Sequence, residues 1–497
     1  MTNKPVSLIQ LTNLKDNEEL SKAFVPYIAG LPSRGEYRHQ EIEDIASLLA
    51  NFKLPENCYS DFIYSYKIAH FNEEFDLIKI TDNQVINIEL KSQMISKVKI
   101  EEQLKRHEHA LKLLSNQIYC FTYVSKTNEL FRWYDGKLFE CSFESLKDLL
   151  ASSLITQDVD LDEAFSPKNI LVSPLNDSER FVHGEYLLTQ KQEDIKQDIL
   201  SKIRNCNSSI FLGITGGPGT GKTLLLYDIA KELSKTMKVL VIHCGELCEG
   251  HHFLKLNLKN VQIRPIKHFR DNNIENDIGC ILLDEAQRIY DSLLEKIVGQ
   301  ANVKKLPCII SYDEKQRLSH SELKRKSVSR IANLCGKPFK LTTTIRTNKE
   351  TIQFINCLFN LNNDHKNALF SNIKLFYEPD KMKAADLAKS MSDQGYRYIG
   401  LTPSSYDHKL DYQKGDLNTH AVIGQEFGKV CMIMDEHFFY NEENRLSSLH
   451  HPNSDYICTN LLWQGLTRAR TGIALVVTTE HLVEKILPLL TSTKNRQ

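Results

Sequence analysis

Apolar and polar positions follow two different rhythms along this 497-residue chain. Over 39–52, Ile42, Ile45, Leu48 and Leu49 recur at the spacing of one helix face, which predicts an amphipathic helix. The runs 75–80 and 85–90 read as strands, with Thr81, Asp82, Asn83 and Gln84 between them as a hairpin-like turn. Helical spacing returns over 100–114 through Ile100, Leu104, His107 and Leu111, and 118–124 reads as a further strand. Residues 151–185, broken by Ser-Pro and Asn-Asp-Ser, read as a connector. From Tyr186 onward, apolar runs at 210–214, 239–243, 280–283 and 308–311 alternate with helix-length segments. That alternation predicts a parallel sheet with crossover helices. Runs at 398–401, 430–434 and 473–477 predict a second unit of the same kind. The expected fold class is α/β, with a small unit at 1–150, the connector, and two lobes at 186–350 and 351–497.

Composition narrows the function. A chain this long exceeds one hydrophobic core, so several domains are expected. With 41% hydrophobic and 25% charged residues it is of ordinary globular make-up. Its 62 Lys and Arg against 63 Asp and Glu leave a net charge of -1, which excludes a polybasic binder working through bulk charge. A local basic groove stays open. No apolar run approaches the roughly 18 residues of a membrane span. The N-terminus lacks the apolar core of a secretory signal. Twelve scattered cysteines, such as Cys120, Cys280 and Cys308 inside apolar runs, read as reduced core residues of a cytoplasmic protein. Cys244 and Cys248 lie near His243, His251 and His252, a combination that suggests zinc. His243 and Cys244 close a buried-strand pattern, however, so core positions are the expectation there.

Phosphate chemistry stands out next. Gly216, Gly217, Pro218, Gly219, Thr220, Gly221, Lys222 and Thr223 match G-x-x-x-x-G-K-T between an apolar strand and a helix predicted over 224–233. Glycines at these points let backbone N–H groups close around a β-phosphate, and the helix N-terminus adds its dipole. Lys222 is expected at the β- and γ-phosphates and Thr223 on Mg2+. About sixty residues on, Asp284 and Glu285 end a buried strand and are followed by Gln287. Asp284 is placed to complete the Mg2+ shell, and Glu285 to orient or deprotonate the attacking water. ATP is the expected cofactor.

Five further segments complete a pattern. They are Leu188-Thr-Gln-Lys-Gln192, Ser311-Tyr-Asp313-Glu-Lys-Gln316, Leu341-Thr-Thr-Thr-Ile-Arg346, Thr419-His420-Ala-Val-Ile-Gly424-Gln-Glu426-Phe427 and Leu466-Thr467-Arg468-Ala469-Arg470. In this order they resemble superfamily 1 helicases of the compact bacterial and Schlafen-like form, over about 186–497. The resemblance implies that Gln192 reads the adenine, Gln316 senses the γ-phosphate or water, and Glu426 meets the ribose. It also places Thr419 and His420 near nucleic acid and delivers Arg346 and Arg468 to the γ-phosphate. Two cations supplied across a cleft would stabilise charge developing on the phosphoryl group and couple hydrolysis to closure. Only about forty residues separate Cys244 from Asp284, and about seventy Arg346 from Thr419. That leaves no room for the large insertions of unwinding enzymes.

A second constellation lies upstream. Glu89 and Lys91, two apart in a strand, share a face, and an adjacent antiparallel strand would present Asp76 beside them. Two carboxylates can hold a divalent metal that activates water, and a lysine can steady the nucleophile or leaving phosphate. This looks like the PD-(D/E)xK nuclease core. Glu41 on the preceding helix would be an accessory metal carboxylate, with Glu43 the weaker choice. Gln103 would lie near the scissile phosphate, and His107 stands where an aromatic residue often occurs. Mg2+ is the implied metal, with Mn2+ an alternative at this site. The whole chain then reads as a restriction-endonuclease-like domain followed by two P-loop helicase-type lobes.

Together these readings describe an ATP-driven nucleic-acid enzyme joining metal-dependent cleavage to a motor or switch, in anti-phage defence or DNA repair. The alternative is an NTP-gated sensor that binds nucleic acid or a partner and cuts nothing. DNA is favoured over RNA as the partner, with no membrane and with room for a homo-oligomer or a partner defence protein. Lys324, Arg325 and Lys326, and Lys105 with Arg106, are candidate backbone contacts.

Overall fold

The computed structural model describes residues 4–29, 38–68, 71, 73–153, 159–166, 170, 172–206, 208–314, 316–342, 349–364, 370–403, 410–415, 417–449 and 454–491. The chain forms two compact units. One comprises 1–171 with 185–190, and the other 172–184 with 191–497.

In the first unit, β1 (Pro5–Val6), β2 (Phe62–Lys67), β3 (Glu74–Ile80), β4 (Val85–Lys91), β5 (Ile118–Val124), β6 (Glu129–Tyr134) and β7 (Lys137–Glu140) form one sheet in chain order. β4 and β5 run parallel and the other neighbours antiparallel. The parallel pair needs a crossover, which the Lys97–Leu111 helix supplies. That helix starts earlier than its apolar spacing predicts because Ser96 caps it, the hydroxyl accepting from Lys99 N–H at 3.4 Å. The Thr81–Gln84 turn closes as expected, with Thr81 N–H donating to the Gln84 carbonyl at 2.9 Å. The His39–Leu49 helix buries Ile42, Ile45 and Leu48 in one cluster with Tyr64, Leu77, Ile88 and Tyr123 of the sheet. Each such side chain contributes about 1.5–3 kcal/mol on leaving water. Among the described residues, two helices absent from the predicted set, Leu8–Thr12 and Glu18–Ala29, precede it.

The second unit holds two parallel sheets. β8 (Phe211–Gly216), β9 (Lys238–His243), β10 (Val261–Pro265), β11 (Ile278–Asp284), β12 (Cys308–Tyr312) and β13 (Phe339–Leu341) lie in the order β10-β9-β11-β12-β8-β13. β14 (Ile373–Tyr377), β15 (Tyr396–Tyr398), β16 (Phe427–Met434) and, after the hairpin β17 (Phe438–Tyr440) and β18 (Leu446–Ser448), β19 (Ala469–Val477) form the second sheet, ordered β14-β19-β16-β15. Apolar runs do not predict the β17–β18 hairpin or the strands β10, β13 and β14, and these three lie at the edges of the parallel sheets, where polar residues interrupt the run. β15 sits earlier than the apolar run 398–401 predicts. Its ladder stops at Tyr398, because Gly400 N–H turns to the Leu417 carbonyl.

Part of the 151–185 segment is helical, at Leu161–Ala164 and Ser178–His183. The 172–184 stretch packs within the second unit. Its Leu175 carbonyl carbon lies against Gly250, and Asn176 Oδ1 accepts from Glu426 N–H at 2.8 Å. Among the described residues no helix is long and apolar enough to cross a membrane.

Candidate functional site

The phosphate loop leaves β8 and enters the Lys222–Leu233 helix. Two of its residues, Gly219 at φ +68° and Gly221 at φ +85°, occupy the left-handed region that a side chain would strain. Lys222 Nζ donates to the carbonyls of Gly216 at 2.7 Å and Gly217 at 2.9 Å, and lies 3.7 Å from Asp313 Oδ2. Gln192, fully buried on the Gln190–Arg204 helix, donates to the Gly221 carbonyl at 3.3 Å.

Asp284 ends β11 beside this loop, and among the described residues neither of its buried carboxylate oxygens has a hydrogen-bond partner. With Thr223 in the first turn of the helix, that carboxylate fits a magnesium ion, a hard cation held through oxygen. Glu285 follows at φ +56°, a strained backbone for a non-glycine residue. Burial pushes its carboxyl up, but the Lys222 ammonium, then Arg288 and Arg468, hold it below the ordinary carboxylate value. Gln287 Nε2 donates to Glu285 Oε2 at 2.6 Å, and its Oε1 accepts from Asp313 N–H at 3.1 Å. The pair thereby fixes Glu285 against the end of β12.

Both lobes contribute to this pocket. Lys222, Thr223, Glu285 and Gln316 line it from one side, and Gly424, Glu426 and Arg468 from the other. Gln316 is hydrogen-bonded to Gln464. Arg468 Nε donates to the Gln464 carbonyl at 3.2 Å and its Nη1 to the Gln425 carbonyl at 3.2 Å. Glu426 pairs with Arg470 at 3.2 Å. Arg346 falls in 343–348, outside the described residues. Gln287 and Gln464 carry geometry that the sequence motifs do not assign. Their signals are a glutamine at i+2 from Glu285 and a glutamine at i−4 from Arg468, the latter inside an apolar helical run.

A larger cavity of about 1300 Å3 opens between the strand ends of the two lobes. Lys267, Arg270, Arg288, Lys324 and Arg325 line it, against Glu246, Glu322 and Asp455. The Arg325 guanidinium stacks 3.8 Å from the Tyr290 ring centre and donates to the Arg288 carbonyl at 2.7 Å. Lys326 is not among the lining residues; its backbone N–H donates to Asp291 Oδ2 at 3.3 Å. From the second lobe come Thr402, Asn418 and His420. Thr419 is buried behind them, its hydroxyl 2.8 Å from that of Thr402. His420 therefore faces the cavity, and Thr419 shapes it from behind.

In the first unit the β3–β4 ladder runs from Ile80↔Val85 to Leu77↔Ile88 and stops there. Asp76 Oδ2 instead accepts the Leu90 N–H at 2.7 Å. That exchange seats Asp76 beside Glu89, whose Oε2 accepts from Gln103 Nε2 at 2.6 Å and lies 3.6 Å from Lys91 Nζ. His107, on the same helix as Gln103, sets Nδ1 3.1 Å from Glu89 Oε1 and Nε2 3.2 Å from Glu73 Oε2, and its ring rests on Phe75. Burial opposes the imidazolium, but Glu89 and then Glu73 raise its pKa to about 9. The same cation holds Glu89 below its ordinary value against burial. Burial and then the Glu89 charge push Asp76 well up. Glu41, hydrogen-bonded to Tyr64 at 2.8 Å and Arg38 at 3.0 Å, is pushed up by burial.

Carboxylates so charged against one another fit a divalent cation. As a set, though, Glu41, Asp76 and Glu89 do not bring ligand atoms within 4.8 Å of one another, and the Glu89 charge weighs on Asp76 more than the Glu41 charge does. Glu43 and Lys105 are exposed, and Arg106 is bound to Glu73 at 2.5 Å. Among the described residues, one group of three does converge within 4.8 Å: Asp435, Glu436 and His437. It is a hydrogen-bonded turn, with Asp435 accepting from His437 Nδ1 at 2.8 Å, from Tyr412 and from Gln413.

Three comparisons bear on these features. Residues 209–428 match the family described as Schlafen group 3, DNA/RNA helicase domain. No curated protein matches the chain. Among solved structures, the Pif1 helicase from Candida albicans is 14% identical at a TM-score of 0.33, the match covering 61% of this chain and 99% of that one. Bacteroides Pif1 bound to ssDNA is 13% identical at a TM-score of 0.30, over 59% and 92%. The family match over 209–428 takes in the phosphate loop at Gly216–Thr223, Asp284, Glu285 and Glu426.

Proposed function

We infer that the chain is an ATP-dependent nucleic-acid enzyme in which a helicase-type ATPase controls a metal-dependent nuclease unit. The observation that carries the ATPase is the single pocket reached by Lys222, Thr223, Glu285 and Gln316 from one lobe and Glu426 and Arg468 from the other. In this reading Lys222 meets the β- and γ-phosphates, Thr223 and Asp284 hold Mg2+, and Glu285 takes the proton of the attacking water. Arg468, with Arg346 from 343–348, meets the γ-phosphoryl charge. Gln192 and Glu426 select base and ribose. The larger cavity takes a nucleic-acid strand, DNA before RNA, with backbone on Lys267, Arg270, Lys324 and Arg325 and a base on Tyr290 or His420.

In the first unit, Asp76 and Glu89 would hold Mg2+ or Mn2+, with Glu41 as accessory and Lys91 at the scissile phosphate. The bound metal supplies a Lewis acid and an activated water. A role in anti-phage defence or DNA repair follows from this pairing of activities. A second reading, an NTP-gated binding module with a silent nuclease fold, is favoured by one observation. Both oxygens of Glu89 are already engaged, by His107 on one side and by Gln103 and Lys91 on the other.

One panel separates the two: DNA and RNA, single- and double-stranded, with Mg2+ or Mn2+, with and without ATP. Wild type should cut at least one substrate. Lys91→Ala should lose cleavage while keeping ATP turnover, and Lys222→Ala should lose ATP turnover by about 100-fold or more. Cleavage that survives Lys91→Ala, or Lys222→Ala turning over ATP normally, defeats the corresponding half of the proposal.

A further inference from the structure

Behind the phosphate pocket lies a buried polar group to which the hydrolysis just described gives no role. His243 ends β9 and Asp284 ends β11, and the parallel register sets the two side by side. Cys244 N–H locks that register by donating to the Asp284 carbonyl at 2.9 Å. The imidazole Nδ1 stands 3.4 Å from Asp284 Oδ2, and neither residue is more than 1% exposed. Among the described residues both ring nitrogens lack a hydrogen-bond partner, as do both Asp284 oxygens and Nε2 of His251, whose ring centre is 4.4 Å away. Unpaired buried polar atoms are rare in folded proteins, and several in one place mark a position under functional demand.

The other edges of the same ring face outward in two directions. A Cβ built on Gly245 would fall 2.7 Å from Nε2, so the imidazole lies directly under that backbone. Gly245, with Cys244 and Glu246, lines the large cavity. A Cβ on Gly424 would stand 3.9 Å from Cε1, and Gly424 lines the phosphate pocket from the second lobe. One ring therefore meets the candidate magnesium ligand, the floor of the cavity and the opposite lobe.

We propose that His243 is a positioning residue that ties occupancy of the large cavity by nucleic acid to the aim of the Asp284 carboxylate. The proposal rests on the ATPase reading of the pocket and the strand-binding reading of the cavity. A strand bearing on residues 244–246 moves Gly245, and the ring packed beneath it must follow, because a close-packed interior has little slack. Asp284 follows the ring, since no hydrogen bond holds its carboxylate elsewhere among the described residues. Partners that orient a metal ligand in this way typically alter metal affinity or activity 10- to 100-fold when changed.

The test uses the full chain and two variants. His243→Leu removes both nitrogens, and His243→Asn restores a polar atom near Nδ1. Steady-state ATP turnover is measured with and without a thymidine oligonucleotide, across a Mg2+ titration. The expected result for His243→Leu is a KM for ATP within about threefold of wild type, a loss of oligonucleotide stimulation of about tenfold or more, and a raised Mg2+ half-saturation. His243→Asn should recover part of both. Gly245→Ala, which pushes the ring without altering it, should lower stimulation in the same direction. Wild-type stimulation in His243→Leu and Gly245→Ala overturns the proposal. So does a uniform fall in kcat and ATP binding that the asparagine does not relieve. Wild type that hydrolyses ATP but ignores every strand would strike down the reading of the cavity itself, a result distinct from either.

Discussion

At the residue scale, the side chain with the largest consequence in the first unit is His107, held between Glu89 and Glu73. Its pKa is about 9 in the folded chain against an ordinary 6.5. A base whose pKa is raised by folding stabilises the fold fully below its unfolded value and loses that contribution as pH climbs through the folded one. Metal-free wild type should therefore melt at falling temperature between about pH 6.5 and 9. The slope should flatten in His107→Gln, which calorimetry at several pH values would show; equal slopes in the two proteins would refute the charge assignment. The spacing Ile100, Leu104, His107 and Leu111 already put this histidine on the buried helix face. What spacing cannot supply is its pair of partners, because Glu73 comes from the residue before β3 and Glu89 from β4. Asp76, Glu89 and Lys91 were legible because strand alternation fixes which residues share a face. That Glu41, Asp76 and Glu89 do not converge as a set was not, since it depends on where a helix lands.

At the element scale, the strand ends matter more than the strands. The phosphate loop, Asp284-Glu285 and Asp313 all stand at the carboxyl ends of parallel strands, the place where such sheets present ligands. Long apolar runs made β8, β9, β11 and β12 legible. Short edge strands were hidden, since half their residues meet water. The Glu249–Asn257 helix shows how tightly such elements dock: a Cβ on Gly250 would lie 2.0 Å from the Leu175 carbonyl oxygen. Backbone cannot yield as a side chain does, so Gly250→Ala should destabilise the second unit by about 1–3 kcal/mol. A chemical-denaturation midpoint unchanged from wild type would contradict that packing.

At the scale of the whole molecule, a net charge of -1 coexists with a cavity carrying five cations against three carboxylates. Such a site should bind nucleic acid through a few phosphates and remain sensitive to salt. Replacing Lys324 and Arg325 by Glu should weaken strand binding across sequences. For every phosphate that these cations no longer neutralise, the slope of log affinity against log salt should become shallower by about one. Anisotropy titrations at several salt concentrations read both effects, and an unchanged slope would remove these residues from the interface. The order of motifs announced the two lobes; their convergence on one pocket emerges only when β8–β13 and β14–β19 are folded together.

The path of the chain between the units has a practical bearing. Residues 172–184 belong to the second unit, yet 185–190 return to the first before the Gln190–Arg204 helix departs again. No single cut separates the two bodies cleanly. A fragment begun at Tyr186, where the sequence changes rhythm, would discard the stretch that covers Gly250 and satisfies the Glu426 N–H, and would carry away a piece of its neighbour. The chain passes from one unit to the other three times over 171–191, and any dissection of their activities is better made by point substitution than by scissors.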